Sequence, residues 1–259
     1  MASFIHASAI VHPDARVGSE CYIGPFSTVG PETVLGDRVR LESHVVIDGR
    51  TSIGDETHVY PFVSIGLAPQ DLKYAGEPSL TEIGKRNHIR EFVTIHRGTE
   101  GGGGLTRIGD DNLLMAQAHV AHDCLLGSGI IMANAATLGG HVEVQDGASI
   151  GAYSGVHQFC RVGFQAFVGG YSVVVKDAPP FAIIQGNHAK CYGINKVGLK
   201  RRGYDSATID HLHHAFRLLL SSKLNTTQAI ERIREEISGS AEVERLVGFI
   251  ESSARGVVK

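Results

Sequence analysis

From Ile5 onward, every sixth residue is aliphatic. The run Ile5, Val11, Val17, Ile23, Val29, Leu35, Leu41, Ile47, Ile53, Val59, Ile65 is unbroken. It stops at Gly66, resumes at Ile83, Ile89 and Ile95, and stops again over Thr99–Arg107. It then continues from Ile108 through Leu114, Val120, Leu126, Met132, Leu138, Val144, Ile150, Val156, Val162 and Val168 to Val174. The residue four places after each aliphatic one is usually small or β-branched, as at Ala9, Ala15, Cys21, Ser27 and Thr33. Such a period fits neither an amphipathic helix nor a simply alternating strand. It predicts a short strand followed by a corner. Three such units close a triangular coil, with the aliphatic residue on the axis and coils stacked about 4.8 Å apart. No coil buries a core alone, so many are needed. Strands of a β-sandwich would not keep this period through 26 aliphatic positions in three runs. The prediction is a parallel β-helix over residues 1–185, with inserted loops at about 66–82 and 99–107.

After Pro179-Pro180 the pattern changes. Residues 186–259 read as a small helical domain. Asp205 or Ser206 is placed to cap a helix bearing Ile209, Leu212, Phe216, Leu219 and Leu220. Thr226 or Thr227 is placed to cap a second, with Ile230, Ile233 and Ile237, and a third runs over Ala241–Ala254. The chain has 32 glycines and no tryptophan, which suits many tight turns. Its net charge of −3 argues against general nucleic-acid binding. The charge is uneven: residues 186–259 hold 12 Lys+Arg and 8 Asp+Glu, and the remainder 12 and 19. No segment has the length and apolarity of a membrane span, and MASFIHASAI lacks the marks of a signal peptide. The expectation is a cytoplasmic protein, not an integral membrane protein. Cys21, Cys124 and Cys160 occupy small inward positions, and Cys124 and Cys160 lie two coils apart, too far to bridge. All four cysteines are expected reduced.

Counting hexads places Ile95, Val120, Leu138 and Val156 on one face in consecutive coils. Their units carry His96, His122, His141 and His157, with His119 at the preceding corner. A solenoid has no need of histidines, so this ladder marks a candidate site; the plainer reading is a set of solvated side chains. Asp123 should stack on His141, one coil on. His122 should face Gly140, whose missing side chain leaves room and whose N–H could meet an oxyanion. A histidine base, a carboxylate and an amide donor suit acyl transfer to a hydroxyl. His119, His122 and His141 could instead hold zinc, but residues three apart in a strand tend to face opposite sides. Gly101–Gly104 lacks the Gly-Lys-Ser/Thr ending of a phosphate-binding loop and reads as flexible. Lys190, Lys196, Lys200, Arg201 and Arg202 form a run of cations suited either to phosphates or to open solvent.

Several segments carry a family resemblance: Gln70–Pro78 in the first insertion, Thr94–Thr99, Ala118–Cys124 (AHVAHDC), Val156–Cys160, Gln185–Ala189 and Gly198–Gly203 (GLKRRG). With these the chain closely resembles the UDP-N-acetylglucosamine O-acyltransferases of bacterial lipid A biosynthesis, across essentially its whole length. The resemblance implies a homotrimer of left-handed β-helices with active sites in clefts between subunits. It implies transfer of an (R)-3-hydroxyacyl group from acyl carrier protein to the 3-hydroxyl of UDP-N-acetylglucosamine. No metal or bound cofactor is implied, because the donor carries its own phosphopantetheine. By the same resemblance His122 is the general base, Asp123 its orienting partner and the Gly140 amide the oxyanion donor. Asp71, Lys73, His119, His141, His157 and Gln158 line the sugar and acyl sites. Asn195 and Arg201 meet the nucleotide, and Gly170 lies at the far end of the acyl groove, near Phe164, Phe167 and Tyr171. A sister enzyme acting on a sugar amine would add an N-terminal uridine-binding domain, for which a repeat starting at Ile5 leaves no room. A non-catalytic solenoid would show flat rows of Thr or Ser instead of histidines and loops.

Overall fold

The computed structural model describes residues 2–221 and 223–259. Two-residue strands alternate with corners, as the period of six requires, and every third strand pairs in parallel with the one a coil later. The result is a left-handed parallel β-helix with three faces. The first face begins at Phe4–Ile5, the second at Ile10–Val11 and the third at Arg16–Val17. Register places aliphatic on aliphatic throughout, as in Ile23 beside Leu41, Ile65 beside Ile95 and Val120 beside Leu138. Beyond the first coil these side chains are buried and fill the axis. Some inward corners carry polar side chains that bond to backbone of the adjacent coil: Asn87 Oδ1 accepts the Asn112 N–H, and Asn112 Oδ1 accepts the Ile130 N–H.

Most sharp corners hold a residue in the left-handed region, which is unfavourable for a side chain with a Cβ. Stacking along the edges opposes that cost. On the edge from first to second face, Phe26, His44, Phe62 and Phe92 all have positive φ and stack ring on ring at 5.1, 4.8 and 5.1 Å. On the edge from third to first face the corners carry alternating charge, with Arg38–Glu56 and Arg86–Asp111 each paired at 2.7 Å.

The solenoid ends in an antiparallel hairpin, Ala182–Gly186 with Ala189–Ile194, that extends the first face. Among the described residues four helices follow: α1 (Lys196–Arg201), α2 (Ser206–Ser221), α3 (Thr226–Glu236) and α4 (Ala241–Glu251). Asp205 caps the second, accepting the Thr208 N–H at 2.7 Å. The third is capped by Asn225, not by Thr226 or Thr227. Asn225 accepts from the Gln228 N–H while the Gln228 side chain accepts from the Asn225 N–H, a reciprocal pair that satisfies two orphan donors. The fourth ends at Glu251, three residues before the expected Ala254. The tail returns to the last coil, where Val258 N–H donates to Asp177 O and Asp177 N–H to Gly256 O. Among the described residues no helix is long and apolar enough to cross a membrane.

Candidate active site

One edge of the prism, from second to third face, collects almost everything the histidine ladder predicted. His122 and Asp123 follow the strand His119–Val120; Gly140 and His141 follow Thr137–Leu138; His157 and Gln158 follow Gly155–Val156. Both insertions leave the coil here too, between Ser64–Leu67 and Leu80–Ile83 and between Thr94–His96 and Leu105–Ile108.

Asp123 is the hub. It occupies the left-handed region at φ 60° and is only 5% exposed. Its Oδ2 lies 2.8 Å from His122 Nδ1, with His141 Nδ1 at 3.8 Å. An acceptor at Nδ1 fixes that nitrogen as the protonated one and leaves Nε2 as a free base. The Thr99 N–H donates to Asp123 Oδ1 at 2.8 Å, and the Thr99 hydroxyl donates to Oδ2 at 2.6 Å. The Asp123 N–H in turn donates to Thr106 Oγ1 at 2.8 Å. Gly140 faces the His122 ring so closely that a Cβ would stand 2.6 Å from Cε1. Among the described contacts its N–H has no acceptor, whereas the adjacent Gly139 N–H is bonded to Val156 O. His141, also left-handed at φ 61°, meets His122 edge-on at 5.1 Å and stacks on Phe159 at 4.3 Å. Burial lowers the His141 pKa, so its ring is held toward the neutral form.

The first insertion folds over this edge. Asp71, Lys73, Thr99, His141 and Phe159 line a cleft of about 300 Å³. Asp71 accepts the Lys73 N–H at 3.0 Å, which lowers its pKa and keeps it anionic opposite the histidines. A larger cleft, about 590 Å³, lies between His188 and the C-terminal segment. Its lining has no Asp or Glu side chain, whereas the smaller cleft brings Asp71 and His141 together.

His119 differs from its predicted place. It lies within a strand of the second face, in register with Thr94 and Thr137, and not at a corner. Its Nδ1 is 2.6 Å from Thr94 Oγ1, and its ring meets His96 edge-on at 5.0 Å. His96 is buried, and burial followed by the neighbouring His119 lowers its pKa to about 4. His119 therefore does not join a three-histidine set. Among the described residues the group with ligand atoms within 4.8 Å of one another is His122, Asp123 and His141. Its carboxylate is already engaged by Thr99 and His122. His157 and Gln158 are exposed one coil beyond His141, with His157 Nδ1 3.1 Å from Gln158 O.

Three expected site residues stand at other edges of the same chain. Gly170 is at a corner between first and second faces, beside Tyr171 stacked on Tyr153 at 5.2 Å. Asn195 caps α1, accepting the Gly198 N–H, and its own N–H donates to Phe181 O. Arg201 is exposed in the last turn of that helix, whose next residue, Arg202, donates to Gly147 O on the edge between third and first faces. Phe164 is no part of a groove beside Gly170. It packs against Phe181 at 5.7 Å with the Arg245 guanidinium 4.2 Å above its ring. The glycine run is not an open flexible loop either. Glu100–Gly102 forms a 3-10 turn, and the Gly102 and Gly104 N–H groups both donate to Thr99 O. Thr99, which holds Asp123, is the contact at this edge that the hexad count missed.

Residues 177–258 match the family model described as "Udp N-acetylglucosamine O-acyltransferase; Domain 2". Over nearly the whole chain the structure superposes on solved acyltransferases. LpxA from Acinetobacter baumannii is 41% identical with a TM-score of 0.97, covering 99% of this chain and 100% of that one. LpxA from Bacteroides fragilis, a UDP-N-acetylglucosamine acyltransferase, is 40% identical, with the same TM-score and the same coverage. The UDP-N-acetylglucosamine acyltransferase of Francisella novicida is 37% identical with a TM-score of 0.95, covering 98% and 94%. With the β-helix, the histidine edge and full-length identity at this level in agreement, the chain belongs to the UDP-N-acetylglucosamine acyltransferase family.

Proposed function

We propose that this protein transfers an (R)-3-hydroxyacyl group from acyl carrier protein to the 3-hydroxyl of UDP-N-acetylglucosamine, the first step of lipid A biosynthesis, in the cytoplasm. The observation that carries the reading is the Asp123–His122–Gly140 arrangement. His122 Nε2 takes the proton of the sugar hydroxyl as its oxygen attacks the thioester carbonyl. Asp123 holds the ring and stabilises the imidazolium that forms. The Gly140 N–H receives the carbonyl oxygen as it gains charge. Collapse expels the carrier's phosphopantetheine thiolate, which takes the proton back from His122. The donor brings that group with it, so the protein's part is base, orientation and oxyanion support. Asp71, Lys73 and His141 line the cleft that would hold the acceptor, with His119, His157 and Gln158 along the same edge.

Asn195, Arg201 and Gly170 fit the same site if a second copy presents its other edges to the histidine edge, as in a closed homotrimer. Light scattering should then give three times 27.7 kDa; a monomer at working concentration would remove the shared cleft. The chemical test is His122→Ala assayed with 3-hydroxyacyl carrier protein and UDP-N-acetylglucosamine. Turnover should fall by about 10²–10⁴, with calorimetric binding of the nucleotide sugar retained. Near-normal turnover would exclude His122 as the base.

A further inference from the structure

Thr99 spends both of its donors on one carboxylate. The N–H goes to Asp123 Oδ1 and the hydroxyl to Oδ2, and Thr99 is itself buried. Two-point contact fixes the carboxylate's rotation as well as its position. The rotation matters because two imidazoles compete for Oδ2, His122 Nδ1 at 2.8 Å and His141 Nδ1 at 3.8 Å. Thr99 is held firmly in turn. Its carbonyl accepts N–H bonds from Gly102 and Gly104 at 3.0 and 2.7 Å, curling the second insertion around it. Gly102 passes so close to Asp123 that any Cβ there would overlap the carboxylate. The next residue, Glu100, donates its N–H to Glu77 of the first insertion at 3.3 Å, joining the two loops that line the cleft.

We propose that Thr99 is a positioning residue for the acyl transfer, one that locks Asp123 onto His122 and away from His141. The proposal rests on the reading of His122 as the base. Without the hydroxyl, Oδ2 keeps only its imidazole partner, and the carboxylate can turn about the remaining Thr99 N–H bond toward His141. The base then loses its fixed tautomer in part of the population. Thr99 lines the cleft, but its hydroxyl donates to Asp123 and acts through the base, so the loss should appear in kcat and not in KM.

The test compares Thr99→Val, Thr99→Ala and Thr99→Ser, each checked for folding by circular dichroism. Valine keeps the shape and the backbone donor but lacks the hydroxyl. Its kcat should fall about 10–100-fold, the weight of a hydrogen bond to a charged group, with KM for both substrates unchanged. Alanine should reproduce that loss, so that a valine misfit is not its cause, and serine should restore near-wild-type kcat. In an Asp123→Asn background Thr99→Val should cause no further loss, since its effect passes through the carboxylate. A valine variant at wild-type kcat, or an equal further loss in the Asp123→Asn background, would overturn the proposal. The wild type is run alongside. If it were silent on UDP-N-acetylglucosamine, the acceptor assignment would fail, and the positioning role would then be judged by proton NMR. The downfield Nδ1–H resonance of His122 should shift in Thr99→Val and stay in Thr99→Ser, and an unmoved resonance in the valine variant would again refute it.

Discussion

Gly140→Ala is the smallest change that should disable the site while leaving the solenoid folded. Gly140 is outside the left-handed region, so the backbone accepts alanine; only the space is contested. The added Cβ would stand 2.6 Å from His122 Cε1 and 2.8 Å from Nε2, where ordinary contact begins at 3.4 Å. The ring must retreat by the difference, 0.8 Å between 3.4 and 2.6 Å. It is anchored at 2.8 Å through Nδ1 to Asp123, so the retreat either swings Nε2 off the hydroxyl or stretches the anchor. A misplacement of about 1 Å costs roughly 10²-fold in rate, or about 2.7 kcal/mol of transition-state stabilisation. The ring's side chain is 13% exposed and is no part of the aliphatic axis, so the thermal midpoint should move little. Steady-state kinetics with carrier-bound donor and UDP-N-acetylglucosamine would measure kcat beside Gly248→Ala, a control whose new methyl meets nothing within 4 Å. A folded Gly140→Ala enzyme within threefold of wild-type kcat would show that the close approach of Gly140 and His122 is irrelevant to turnover.

The control carries its own prediction: Gly248 is exposed inside α4, so alanine there should raise unfolding free energy by about 0.5–1 kcal/mol, and an unchanged urea midpoint would contradict it. His96 gives the chain an acid sensitivity. Its folded pKa of about 4 lies below the ordinary 6.5, so stability is full above pH 6.5 and falls as the unfolded chain alone takes up a proton. The loss by pH 4 should reach about 3 kcal/mol, read from urea melts as a slope that becomes shallower in His96→Asn; equal slopes would exclude His96 as the source. Gly170→Met should shift donor preference to shorter 3-hydroxyacyl chains, since each methylene in an apolar pocket is worth about 1–3 kcal/mol. Coincident kcat/KM profiles across donor lengths would instead turn attention to Phe167 and Tyr171.

The solenoid was legible because a single chemical requirement, an aliphatic residue on the axis, recurs at one spacing from Ile5 to Val174. The same spacing converts to geometry, which is why Asp123 beside His141 and His122 beside Gly140 could be read by adding one coil. His119 was placed one step wrong because the count alone does not say where a strand ends and a corner begins. Thr99 escaped for a different reason. It belongs to an insertion, where no period applies, and its partner Asp123 is 24 residues away. The cap of α3 was misplaced because Thr226 and Thr227 are themselves cap formers; the pairing of Asn225 with Gln228 was the signal. Gly170, Asn195 and Arg201 were reached only through resemblance, since each stands at an edge remote from the histidines in its own chain.

The two insertions also bear on how freely such a scaffold can gain or lose function. Most paired residues are 18 apart, as Val46 and Ser64 are, but Ile53 pairs with Ile83, 30 residues on, and Ile83 with Ile108, 25 on. Both detours begin and end at one edge, so the register resumes unaltered. The entropic cost of closing the longer loops grows only as the logarithm of length, by about 0.5 kcal/mol for the first and about 0.3 kcal/mol for the second. That is less than one well-buried methylene contributes. A coil corner can therefore acquire a catalytic loop, lengthen it or surrender it at almost no thermodynamic penalty to the prism. Variation in loop length among solenoids of this kind should accordingly follow the chemistry at the edge and be nearly blind to the stability of the core.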